Sequence, residues 1–275
     1  MKGSTHVMVC AATIALLAAG VVTTASAQDD AQVVPFSDPS RMGTVDVHLL
    51  SGSITVRGEN RRDVAVVVRS GSPGRPQVER AAPPGMRRLT QTPNFTINEE
   101  RNEIKIESAS MARGEGAVEV RVPLKTNLKL GSVNGGTVTV ENVEGDLEIE
   151  NVNGPVLMTN VAGSVVANSV NGGVTARLTR VTADKAMAFT SFNGKVDVTL
   201  PPSLKANLKM RSDQGDVFTD FDVQLRQGGE KPNATRTDGR YRVEVNRSIY
   251  GSVNGGGPEI ELRTFNGSVY LRKGQ

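Results

Sequence analysis

Few side chains in this sequence could carry reaction chemistry, and their spacing does not bring them together. Nucleophilic sites of the Ser/His/Asp or Cys/His kind need a histidine base. The chain has two histidines, His6 and His48. His6 lies in an N-terminal segment that reads as removable. His48 follows Val45 and Val47 in an alternating run and reads as an outward strand residue. Hydrolysis of a glycosidic bond needs two carboxyl groups about 5–9.5 Å apart. Glu148 and Glu150 are the candidates, with Glu141 one repeat earlier. Alternate positions of a strand put both on one outer face, where solvated carboxylates are the simpler reading. A carboxylate-dependent glycan-degrading β-helix enzyme is therefore the alternative to a non-enzymatic protein. Against it, glycan clefts commonly stack sugars on aromatic rings, and this chain has no Trp. Phe189 and Phe192 fall at core positions, and Tyr241, Tyr250 and Tyr270 are scattered along the chain.

Metal and phosphate chemistry fare no better. With Cys10 and His6 in the removable segment, no zinc site built on two or more His or Cys ligands can form within one chain. Calcium-binding nonapeptide rolls need recurrent Asp in the turn. Here the residues after successive turn glycines are Thr137, Asp146, Pro155, Ser164 and Gly173, so one Asp in five makes no ladder of sites. Glycine strings such as the one opening at Ser252 lack the Lys-Ser/Thr and the helix that a phosphate loop requires. The expectation is no catalytic, cofactor-binding or metal-binding residue.

The elements that must position any surface groups come from a nine-residue repeat. Consecutive copies open at Gly135, Glu144, Asn153, Ala162 and Asn171, each with glycine second: Gly136, Gly145, Gly154, Gly163 and Gly172. The fourth place holds Val138, Leu147, Val156, Val165 and Val174; the sixth holds Val140, Ile149, Met158, Ala167 and Ala176. Period-two alternation marks a strand with one buried face, and the x-Gly pair marks a tight bend. The ninth place is Val143, Val152, Val161 and Val170, preceded by Asn142, Asn151, Asn160 and Ser169. An antiparallel hairpin meander would also use Asn-Gly turns. Identical phase in every unit favours an all-β, single-domain parallel β-solenoid with Asn-Gly turns. Like then stacks on like, and the eighth-place series forms a side-chain ladder. The strings SVNGG at Ser132, Ser169 and Ser252 read as three equivalent turns. On the outer face, Leu157 and Val166 suggest a docking patch.

Residues 1–27 read as a signal peptide: Lys2 precedes an apolar run from Val7 to Val22, and Ala25-Ser26-Ala27 is a small-x-small cleavage site. A membrane anchor fits less well because of Gly20 and the cleavable end, and a lipoprotein at Cys10 lacks the small preceding residue. No later stretch has the ~18 apolar residues of a transmembrane helix. Residues 28–41 are expected to be a disordered linker, and 42–275 the solenoid domain. Gly71 to Gly85 and Gln224 to Gly239 read as polar insertions. The formal charge of +3 and the loop placement of Arg61-Arg62 and Arg87-Arg88 argue for no nucleic acid partner.

A longer repeat overlays the nonamers. The segment from Val118 to Leu130 (VEVRVPLKTNLKL) resembles that from Val196 to Met210 (VDVTLPPSLKANLKM). With the repeated VNG turns and Val-x-Val strands, these segments resemble the toast-rack family, a bacterial domain family of unknown function that carries an adhesin label. The resemblance covers most of the chain after residue 27. It implies a β-helix-like fold and an envelope setting, and it brings no catalytic residue. The expected protein is an exported scaffold or binding module, periplasmic or extracellular, with an envelope protein or surface glycan as partner.

Overall fold

Nine residues suffice for one strand and one reversal of the chain, so two such units are needed before the chain returns to the same sheet. The structure, a computed structural model that describes residues 31–70, 95–108, 116–226, 233–237, 240–244 and 248–275, is built in this way. It is all-β, with no helix among the described residues, and these belong to one compact unit, Ala31–Gln275. Val138 pairs with Val156, and Val156 with Val174, a step of 18 residues. Leu147 likewise pairs with Val165. Each nonamer therefore stacks on the next but one, and the nonamer between them lies across the core. The expected direct stacking of successive units is corrected accordingly.

Two ladders result. The first runs Phe95–Glu100, Glu103–Ser108, Gly43–Ser51, Thr126–Asn134, Glu144–Asn151, the C-terminal half of Val156–Ser169, Met187–Asn193, Glu259–Asn266, Ala206–Ser212, Ile249–Val253 and Gln224–Leu225. The second runs Gln32–Pro35, Asp63–Ser70, Gly116–Pro123, Ser53–Glu59, Val138–Glu141, the N-terminal part of Val156–Ser169, Val174–Val181, Val196–Leu200, Val269–Lys273 and Val217–Thr219. Fourth- and sixth-place side chains point inward from both ladders into one apolar core. The central pairings are parallel, as expected for stacked coils. Antiparallel pairs occur toward three of the four ladder ends, Phe95–Glu100 on Glu103–Ser108, Gln32–Pro35 on Asp63–Ser70, and Ile249–Val253 on Ala206–Ser212, whereas Val217–Thr219 closes the second ladder in parallel.

Coil order departs from a simple solenoid at both ends. The chain leaves Gly116–Pro123 and enters Thr126–Asn134, stepping over the N-terminal coil (43–59), which fills the place between. It leaves Val196–Leu200 and enters Ala206–Ser212, stepping over the last coil in sequence (259–273). These crossovers are the two related segments, VPLKTNL and LPPSLKANL. Pro123 and Pro201 sit at the ends of their strands, where a missing N–H and a fixed φ favour leaving the ladder.

The two corners of each coil differ, which splits features expected to be uniform. Val143 and Val161 are buried at one corner; Val133 and Val170, at the other, are 40% and 36% exposed. The eighth-place series divides in the same way. Asn160 donates through Nδ2 to Asn142 Oδ1 at 2.6 Å on the outside, whereas Asn151 and Ser169 are buried. At the buried site a hydroxyl or amide donates to the glycine carbonyl of the adjacent coil: Ser132 to Gly52 at 3.0 Å, Asn151 to Gly136 at 2.9 Å, Ser169 to Gly154 at 2.9 Å and Ser191 to Gly172 at 2.7 Å. Thr264 and Ser212 continue the column onto Gly194 and Gly267. A second, exposed column joins amide to amide from Asn153 through Asn171 and Asn193 to Asn266.

Three further expectations are corrected. The string at Ser252 is not equivalent to those at Ser132 and Ser169. Its strand runs antiparallel, so the same letters turn at the opposite corner, where Val253 is buried and Asn254 donates to the carbonyls of Pro202 and Leu204. The expected linker contains the strand Gln32–Pro35, with Phe36 buried; Asp38 N–H donates to Asn102 Oδ1, and Ser37 Oγ accepts from Asn102 N–H. Val33, Val34 and Phe36 form a short apolar pattern with the edge of the second ladder at Asp63–Ser70 to pair on, so the segment is a strand from residue 32. The polar insertion at 224–239 contains Gln224–Leu225 and Asn233–Thr237, the latter paired with Arg240–Glu244 in a separate hairpin. The expected signal peptide, residues 28–30 and the loop from Gly71 to Gly85 lie outside the described residues.

Candidate binding surface

The inside of the coils is filled with aliphatic and aromatic side chains, so chemistry is confined to the outer faces and corners. His48 points outward from Gly43–Ser51, its Nδ1 2.6 Å from Asp46 Oδ1, with its ring over Gly131 of the neighbouring coil. Glu148 and Glu150 project from the outside of the first ladder, opposite Lys129 and Gly131. Glu141 does not join them. It stands on the second ladder and accepts from Arg57 Nε at 3.0 Å. Leu157 and Val166 are both exposed, but on different ladders, and make no common patch. Among the described residues no three His, Cys, Asp or Glu side chains cluster as metal ligands, and no helix is long and apolar enough to cross a membrane.

Parallel stacking turns equivalent positions into rows about 4.8 Å per rung. On the outside of the second ladder one row reads Arg177, Thr199, Arg272 in successive rungs, and the row beside it Leu157, Thr175, Asp197, Tyr270, Phe218. At the N-terminal end of this face the charges are matched, Arg57 with Glu119 and Glu141, and Arg121 with Glu119. Toward the other end Arg177 has no carboxylate partner within ion-pair distance among the described residues. Arg272 donates through Nε to Asp197 Oδ1 at 2.8 Å, and its guanidinium lies 5.1 Å from the centre of the Tyr270 ring. Tyr270 stacks on Phe218 at 5.2 Å and 15° between planes. A groove of about 690 Å³ runs along the edge of this face, lined by Thr159, Arg177, Thr199, Arg272 and Lys273 among others.

Burial by itself would raise the Asp197 carboxyl, but the hydrogen bonds and charge of Arg272, helped by Lys195, outweigh it and hold the group below its ordinary value. A depressed carboxyl contributes stability that is present above its ordinary value of 3.8 and lost as the pH falls below it, through the folded-state value. Asp197→Asn is thus expected to lower the thermal midpoint at pH 7 and to flatten its decline below pH 3.8. Melting curves from pH 7 to strongly acidic conditions check this; an unchanged acid limb refutes it.

Two other surface features are defined. At the Asn-Gly corner Leu50, Val133, Val170, Phe192 and Phe265 form an exposed apolar line, with Phe192 and Phe265 stacked at 4.9 Å and 2°. Phe192, expected in the core, is 50% exposed. It occupies the place of Val133 and Val170, one residue past the buried Ser191, so period-two alternation turns it outward. A cavity of about 390 Å³ lies between 179–187, 201–205 and 256–260, with its Arg180 and Lys185 held by Glu144 and Asp146.

The class of protein these features define is an all-β stack of coils with a closed apolar interior and rows of polar and aromatic groups on its outside. The chain belongs to the Toastrack DUF4097 family, whose model matches residues 33–249. No curated protein matches it. Among solved structures it is similar to a Clostridium sporogenes protein provisionally named for cell adhesion, at 10% identity, 89% of this chain and 99% of that one, and a TM-score of 0.42. A Bacteroides fragilis protein provisionally named an adhesin matches at 11% identity, 88% and 95% coverage, and a TM-score of 0.37. A Parabacteroides distasonis protein provisionally named lipid binding matches at 10% identity, 90% and 96% coverage, and a TM-score of 0.29.

Proposed function

We propose that this protein is an exported, non-enzymatic scaffold or binding module of the bacterial cell envelope, periplasmic or extracellular, which holds an envelope protein or a surface glycan on the outside of its coils. One observation carries the reading: the polar and aromatic groups stand in regular outer rows fixed by strand pairing, and of the candidate groups only His48 and Glu150 share a place, flanking Gly131 in one open groove, while Glu141 stands on the other ladder. Rows fixed by strand pairing are preorganised, so binding loses little side-chain and backbone freedom.

Immobilised protein lacking residues 1–27 is expected to retain a specific partner from intact envelopes in a pull-down. Incubation with envelope glycans tests the opposite reading. Turnover that Glu148→Gln or Glu150→Gln abolishes would make the protein a carboxylate-dependent glycan enzyme and overturn the proposal.

A further inference from the structure

We infer that the outer face of the second ladder, from Arg177 to Phe218, binds an acidic polysaccharide; the inference deepens the surface-binding reading above and rests on it. The row Arg177, Thr199, Arg272 alternates guanidinium and hydroxyl over two rung intervals, about 10 Å, and Thr159 lines the same groove. Guanidinium is a donor only, and its planar fork matches a carboxylate with two parallel hydrogen bonds. Threonine both donates and accepts, as sugar hydroxyls do. A chain that repeats carboxylates and hydroxyls can use every rung of such a row, whereas a single small anion can use one.

Arg177 is exposed, and among the described residues no carboxylate pairs with its fork. Arg272 gives Nε and Nη2 to Asp197 and keeps its remaining N–H groups. Arg177, Arg272 and Lys273 line the groove with Asp220, and Asp197 beside it is paired with Arg272 and Lys195.

The aromatic pair supplies the second element of sugar recognition. Phe218 is 48% exposed and lies on the last strand of its ladder. One face of its ring packs on Tyr270, and among the described residues no further strand of that ladder pairs beyond it. The C–H bonds on one side of a pyranose ring carry slight positive charge, which suits an electron-rich ring face. Arg272 beside Tyr270 then places a cation next to the platform. A lipid surface would instead favour apolar side chains ringed by several free cations, and here the two aromatic rings continue a row that holds Thr175 and Asp197, with Arg272 paired to Asp197.

The test is a calorimetric titration of the whole chain after removal of residues 1–27, with polygalacturonate, neutral dextran and phosphatidylglycerol vesicles as probes. Polygalacturonate is expected to bind, more weakly as salt rises, and dextran not to. Arg177→Gln and Phe218→Ala should each weaken binding at least about tenfold. Val166→Ala on the opposite ladder should leave it unchanged. Because Phe218 sits on an edge strand, Phe218→Tyr serves as the conservative companion and should retain affinity. No binding of polygalacturonate, binding indifferent to both substitutions, or preference for the vesicles overturns the inference. If the protein still captures a partner from envelopes, only this inference falls; if it captures none, the binding-module reading falls with it.

Discussion

Gly154→Ala is expected to destabilise the protein by about 3 kcal/mol or more, the upper part of the range for overpacking. The added Cβ would lie 2.0 Å from the Gly136 carbonyl oxygen of the adjacent coil. Backbone cannot swing aside as a flexible side chain can, so the two coils would have to separate. Separation would also strain the hydrogen bonds that Asn151 and Ser169 make to the carbonyls of Gly136 and Gly154. The column repeats this geometry: Gly172 meets Gly154, Gly194 meets Gly172, and Gly267 meets Gly194. Gly135→Ala is the informative companion. Its φ of +62° penalises any side chain, yet nothing lies within 4 Å of the new Cβ. It should cost only about 1–2 kcal/mol, the left-handed conformational term. Urea denaturation midpoints compare the two. Equal losses would mean that turn conformation, not close approach of coils, is what glycine provides at Gly154.

Phe189→Ala should cost about 3–5 kcal/mol, the range for a large aromatic removed from a packed core. Phe189 is fully buried, and in its ladder it stands between Ala167 and Leu262. Beside an alanine, the ring fills space that no neighbour can readily occupy, so the cavity would persist. The same site joins the central coils to the last coil in sequence, which is held between two others. In a stack where each coil contacts only its neighbours, weakening one interface can uncouple the parts on either side. The denaturation curve of this variant is therefore expected to broaden as well as shift. Phe189→Leu should lose much less, and equal losses for both would argue against a cavity.

Much of the fold was legible because strand alternation and glycine spacing are local properties. Val138, Val140, Leu147, Ile149, Val156 and Met158 are buried as their places in the nonamer require. Asn142 and Asn151 looked equivalent, but one is outside and the other buried, because each nonamer crosses the core and its neighbour returns. No feature of a single unit marks the difference. The alternation of Val143 and Val161 with Val152 and Val170 carries no chemical signal at all. Phe192 falls outside because the strand runs on through Asn193, so the alternation that buries Phe189 and Ser191 turns it outward, whereas the nonamer register places an apolar residue there in the core.

The candidate surface was less legible still. Tyr270 and Phe218 are 52 positions apart, and scattered tyrosines and phenylalanines weighed against glycan recognition. They stack only because the coil 259–273 lies between 187–200 and 206–219, against sequence order. The row of Arg177, Thr199 and Arg272 depends on the same insertion.

From residue order alone came what short-range sterics dictate: strands of one buried face, bends at the second-place glycines, and a family of stacked β coils. The tertiary structure decided which coil lies against which, the 18-residue period, and hence which outward residues become neighbours. The reason is that hydrogen bonding between strands is nearly indifferent to side-chain identity. Pairing partners are selected by crossover length and by complementary filling of a shared interior, which no single stretch of chain contains.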